Sequence, residues 1–177
     1  MLATTGILLL AGTLGFLAFE WNNPQTLGDK SVFDRIMAAV FHSSSVRTAG
    51  FDQMGQAGLT SASRALAILL VFIRGSPGST AGGIKTTTLA VLVLTAVAPY
   101  RGRNQASAFG RTIAQKSVTD ALSVLVTGLF LVICSSFLVS WADRLPFETA
   151  LYECVSGFAT VGLSLGVTPA LSLFSKL

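Results

Sequence analysis

The residues best equipped for chemistry in this chain are glycines set among hydroxyls. From Arg74 to Val91 the sequence reads RGSPGSTAGGIKTTTLAV: Gly75, Ser76, Pro77, Gly78, Ser79, Thr80, Ala81, Gly82 and Gly83, then Lys85 after one intervening residue. A glycine-rich loop whose backbone N–H groups converge beside a lysine is the raw material of a phosphate cradle. The nucleotide-binding form of that loop needs Gly-x-x-x-x-Gly followed at once by Lys and Ser or Thr. Gly78 and Gly83 have this separation, but Ile84 stands between Gly83 and Lys85, and an apolar helical run precedes the loop where a strand is required. The alternative is a break inside a membrane helix, because Pro and clustered Gly cannot sustain one. Ser76, Ser79 and Thr80 would then satisfy freed backbone groups or touch a hydrated ion, and Lys85 would pair with an acid or keep a cation from settling.

Two more segments carry glycine between a small residue and a large one: Thr48-Ala49-Gly50-Phe51 and, after Ala159, Thr160-Val161-Gly162-Leu163. Neither holds an acidic side chain. Irregular backbone at membrane depth is tolerated only inside protein or against a water-filled cavity. There its carbonyls can replace the hydration shell of a cation, with glycine supplying the φ/ψ values that aim them one way and the C-terminal dipole of a preceding helix adding negative potential. Carbonyls without carboxylates suit a monovalent, weakly hydrated ion. The plainer reading is a re-entrant turn that only packs helices. Arg47, beside the first segment, would hold the loop through carbonyls or an acid (Asp52 or Glu153), or else snorkel at the outer mouth.

The elements that must position these segments are membrane elements. Of 177 residues, 51% are apolar and 11% charged, and the mean hydropathy is +0.68, against about 25% charged in a soluble domain. Leu2 to Phe19 and Ala121 to Ala142 contain no charge; a bilayer core takes about 20 apolar helical residues. Leu2 to Phe19 lacks the basic start and cleavage pattern of a signal peptide and reads as a retained span. Cys134 and Cys154 have no metal or disulfide spacing, and the single histidine, His42, cannot build a multi-histidine site.

The net charge of +4 is concentrated. Residues 99–117 contain Arg101, Arg103, Arg111 and Lys116 and no acid, which marks a cytoplasmic loop by the positive-inside rule. Lacking clustered aromatics and flanked by spans, it is not a nucleic-acid site.

Along the chain, a span (2–19) closes at Trp21 and Pro24. A short helix follows from Ser31, its N-cap, to Ser45, then an irregular Gly-rich stretch. An apolar segment (65–73) breaks at the quoted loop and resumes from Thr86 to Ala98. After the basic loop come a span from about Ser117 to Trp141, a short helix opened by Pro146 and Glu148, and a second Gly stretch. The order span, short helix, Gly loop occurs twice. Laying Gly50 on Gly162 also pairs Thr48 with Thr160, Ala38 with Ala150 and Ser44 with Ser156. Internal repeats are a common transporter device. The second copy stops short of its second span, as expected of a piece of a longer protein.

The motifs SSVRTAGF, GSPGSTAGGIKTTT and GFATVGLSLGVTP, in this order, resemble the third filter loop, the intramembrane loop and the fourth filter loop of the Trk/Ktr/HKT potassium-transport superfamily, most closely the membrane subunit of bacterial Ktr systems. The resemblance implies an all-α polytopic membrane protein of pore-loop repeats (helix, pore helix, filter loop, helix). Residues 1–98 would be the third repeat, with its second helix broken by the Gly-rich loop, 99–117 the cytoplasmic loop, and 118–177 an incomplete fourth repeat. It further implies a transporter rather than an enzyme, in the bacterial inner membrane. K+ would sit at filter carbonyls near Gly50 and Gly162, with Na+ a candidate activator and a gate from Gly75 to Gly83 and Lys85. Full-length subunits would form a homodimer in membrane lipid on a cytosolic RCK-type ring that binds the nucleotide. A Trk-type or sodium-permeable relative is the alternative. Arg74 departs from the family pattern, where a small residue is expected before GSPGST.

Overall fold

The computed structural model describes residues 2–73, 83–102, 107–108, 111–172 and 175. Among these residues six α-helices carry the fold: α1 (Leu2–Glu20), α2 (Val32–Ser44), α3 (Ser61–Phe72), α4 (Thr86–Val97), α5 (Gln115–Asp143) and α6 (Phe147–Phe158). The protein is an all-α membrane protein. A two-residue antiparallel ladder, Ser107 to Thr112 and Ala108 to Arg111, lies in the basic segment.

The helix starts follow from local chemistry. Ser31 caps α2 by accepting the Asp34 N–H and also donates its hydroxyl to the Asp34 carboxylate at 2.7 Å. Thr60 caps α3 in the same way through Ser63. Pro146 precedes α6 and Glu148 occupies its first turn, where the missing N–H costs nothing and the negative charge meets the helix dipole.

Among the described residues two helices, α1 and α5, are long and apolar enough to cross a membrane. In α5 only Ala121, Gly128, Val132 and Ser136 are buried, a narrow stripe along one face. Leu122, Val126, Phe130, Phe137 and Trp141 point outward. Small residues in the stripe let neighbours approach: a Cβ on Gly128 would lie 3.2 Å from the Phe158 ring, which itself stacks on Phe72 at 6.0 Å. Trp21 closes α1 and carries the Arg35 guanidinium over its ring at 5.0 Å.

The short helices α2 and α6 sit inside this frame. Each packs mainly on its preceding span, α2 on α1 and α6 on α5, and α3 bridges α1 and α6. The core cluster runs through both units, from Phe16, Ala39 and Val46 across Leu70 and Phe72 to Val132, Tyr152, Val155 and Val161. A smaller cluster of Leu27, Ala38, Met54 and Leu59 lies under the segment that follows the first Gly loop.

Helices α3 and α4 are two short apolar pieces whose facing ends meet. The Ile84 N–H donates to the Phe72 carbonyl at 2.9 Å, and Ile73 and Ile84 form a parallel bridge. The sequence-predicted interruption of this helix is therefore real. Residues 74–82, which include Arg74 and the residues expected to form a gate, Gly75, Ser76, Pro77, Gly78, Ser79, Thr80, Ala81 and Gly82, lie outside the described residues.

Candidate functional site

At the C-terminal end of α2 the backbone does not become irregular, as the sequence suggests, but widens into a π-helical turn over Ser45–Ala49. Thr48 and Ala49 belong to this turn. It ends at Gly50, whose N–H closes the wide turn on the Ser45 carbonyl at 3.0 Å and whose φ is 69°. The Ser45 hydroxyl donates to the Phe51 carbonyl at 2.6 Å. Helix α6 ends in the same way. Val161 N–H reaches the Ser156 carbonyl at 2.9 Å, Thr160 N–H the Gly157 carbonyl at 3.0 Å, and the Ser156 hydroxyl the Leu163 carbonyl at 2.5 Å. Here two residues have positive φ, Thr160 at 57° and Gly162 at 83°.

In both loops a serine at the end of a short helix fixes the carbonyl just past the glycine. The serine equivalent to Ser156 is Ser45, not the Ser44 that the sequence overlay selects. The second loop has one residue more between serine and glycine, and the overlay, anchored on the glycines, absorbs that residue in the helix.

The two loops meet. A Cβ built on Gly50 would collide with the carbonyl oxygen of Val161, so the main chains touch where Gly50 has no side chain. Ala159 is fully buried and Val161 nearly so, while Phe51 is 66% exposed. Gly162 has open space around its α-carbon and lies on an open cleft of about 410 Å³ shared with Glu153, Ser164 and Thr168.

Carboxylates brace the segments that follow the loops. Asp52 accepts from the N–H groups of Gly55 (2.9 Å) and Gln56 (3.2 Å) and from Gln56 Nε2 (2.8 Å). Burial would raise its carboxyl, but these bonds outweigh burial and hold it below the usual carboxylate range. Glu153 accepts from the Ser164 hydroxyl, the Leu165 N–H and the Thr168 hydroxyl, each at 2.8 Å. A third acid, Glu20, ends α1 fully buried. It accepts from Asn23 Nδ2 and the Thr26 hydroxyl at 2.6 Å and from the Thr60 N–H and hydroxyl at 2.9 and 2.8 Å. Glu20 thus ties the top of the first span to the start of α3. Sequence reasoning missed it. The one available signal was an acid at the very end of an apolar helix, which must find partners or water.

Arg47 is 6% exposed, not a snorkelling surface residue. It donates to the Thr5 carbonyl of α1 at 3.0 Å, which fastens the π-helical turn to the first span. Gly83 has φ 77°, and Lys85 is the N-cap of α4, exposed and without an ion pair among the described residues. At the other end of α3, Arg64 pairs with Glu148 at 3.8 Å and links α3 to α6.

The chain matches the TrkH family, described as a cation transport protein, over residues 2–177. It is 37% identical over 180 residues to the potassium/sodium uptake protein NtpJ of Enterococcus hirae, an alignment covering 99% of this chain and 40% of that protein. It is 35% identical to the Ktr system potassium uptake protein B of Bacillus subtilis, with 99% and 40% covered, and 35% identical to the protein of the same name from Vibrio alginolyticus, with 97% and 38% covered. The chain spans about two-fifths of the length of these relatives.

Proposed function

The chain belongs to the TrkH family of membrane cation transporters, which are not enzymes, and from that premise we propose that it builds part of a potassium-selective pore. Residues 1–98 and 118–177 act as two pore-loop repeats, the third and the start of the fourth. Their helices α2 and α6 are pore helices, and the backbone carbonyls of Thr48, Ala49, Gly50 and Phe51, and of Ala159, Thr160, Val161 and Gly162, form half of a filter that holds K+ near Gly50 and Gly162.

The observation that carries this reading is the contact of Gly50 with the Val161 carbonyl. Two glycine loops far apart in sequence, each leaving a short helix that does not span, converge on one point. A carbonyl-lined site shared between repeats needs that convergence.

The decisive comparison is K+ uptake by the full-length protein with Gly50→Ser. A side chain there adds a collision with Val161 to a strained positive φ, so K+ over Na+ selection falls about tenfold or more. An unchanged permeability ratio at equal membrane expression refutes the filter. A second reading, a pore that also carries sodium, is favoured by the name of the Enterococcus hirae relative. The same flux measurement on the wild type separates the two.

The segment from Gly75 to Gly83, with Lys85, acts as a gate under the filter. Its support is the meeting of Ile73 and Ile84, which leaves the residues between them as an insertion in an interrupted helix. Deleting Ser76 to Gly82 should raise K+ flux, and flux at or below wild type in a well-expressed variant counts against a gate. The basic loop, 99–117, lies in the cytoplasm and faces a nucleotide-binding RCK-type ring, on which two full-length subunits pair; Na+ acts as an activator. The relatives named as parts of a Ktr system support such partners.

A further inference from the structure

Two consecutive residues of α6 reach the segments after both glycine loops. Glu153 holds the second, through Ser164, Leu165 and Thr168. Tyr152 crosses to the first: its hydroxyl donates to Gln56 Oε1 at 2.6 Å, across 96 residues of sequence. Tyr152 and Gln56 are 2% and 1% exposed. The other end of the Gln56 amide donates to Asp52, two residues beyond Gly50. Side chains at adjacent helical positions diverge by about 100°, so one turn of α6 can address two loops at once.

From this juxtaposition we infer that Tyr152 is a selectivity-positioning residue. The Tyr152–Gln56–Asp52 chain sets the distance between the two glycine loops, and so the aperture that their carbonyls present to an ion. The inference rests on the pore reading and adds to it a residue that contributes no filter carbonyl. Its mechanical logic is direct. Gly50 and Val161 are in contact, and contact alone limits approach but not separation. The buried hydrogen bond supplies the tie. A site that discriminates ions by carbonyl spacing needs both limits.

The test uses the full-length protein with Tyr152→Phe, which keeps the ring in place and removes the donor. The K+/Na+ permeability ratio should drop about fivefold, the equivalent of one neutral hydrogen bond, while maximal K+ flux stays close to wild type. A purely structural role would lower flux and expression together and leave the ratio alone, and that result overturns the inference. If Tyr152→Phe fails to accumulate because Gln56 is left buried and unpaired, the double variant Tyr152→Phe/Gln56→Met removes both polar ends. It should accumulate and show the same loss of selection, and a wild-type ratio in it overturns the inference too. Gly50→Ser serves as the reference. If its ratio changes and that of Tyr152→Phe does not, the tie fails and the filter stands. If neither changes, the filter itself fails.

Discussion

Around Gly50 the backbone leaves its helix through a π-helical turn, takes positive φ once, and then runs into Asp52, which folds the next residues onto itself. Around Gly162 it leaves through a turn closed by a bond of the same five-residue span, takes positive φ twice, and is held from outside by Glu153 on the helix it has just left. The first loop is thus braced by its own carboxylate and by Tyr152 of the other unit, the second by Glu153 of its own helix. Both keep one shared device, the terminal serine hydroxyl on the carbonyl past the glycine. The common part fixes where a carbonyl sits relative to the helix end. The parts that differ fix where each loop sits relative to its neighbours. The first loop faces the second unit across a crowded contact, whereas the second opens onto a cleft.

The largest expected effect separates the glycines. Serine at Gly50 suffers both the positive φ and the Val161 carbonyl. Serine at Gly162 meets only the positive φ, worth about 1–2 kcal/mol, with open space beyond. Gly162→Ser should therefore cost the K+/Na+ ratio about fivefold where Gly50→Ser costs well over tenfold. Equal losses would break the comparison and assign the glycines a role set by conformation alone. A smaller effect belongs to the external brace. Glu153→Gln keeps the shape but weakens three charge-assisted bonds, and should lower the stability of the detergent-solubilised full-length protein by about 1–2 kcal/mol. A thermal melt of that variant beside Tyr152→Phe sharpens the contrast: Glu153→Gln moves stability with little change in selection, and Tyr152→Phe does the reverse.

Much of the frame was legible in the sequence because it is written locally. Helix starts at Ser31 and Pro146, the two charge-free spans, the interruption after Ile73 and the repeated order around Gly50 and Gly162 each depend on a few adjacent residues. What stayed hidden depends on partners far along the chain. Nothing near Tyr152 announces Gln56, and nothing near Glu20 announces Thr60. For Arg47 the sequence offers carbonyls, an acid or the outer mouth; the described bond goes to a carbonyl, but one of α1 rather than of the loop, an acceptor that every residue carries and no side-chain pattern singles out. The overlay pairs Ser44 with Ser156, one residue off by the hydroxyl contacts, because it counts positions back from the glycines and the second loop carries one residue more between its serine and its glycine.

The clasp between Ile84 and Phe72 has a practical consequence. Two helical pieces are held end to end by a main-chain bond. The Ile84 amide is thereby a reporter of their register: slow hydrogen exchange there marks α3 and α4 joined, and fast exchange marks them parted.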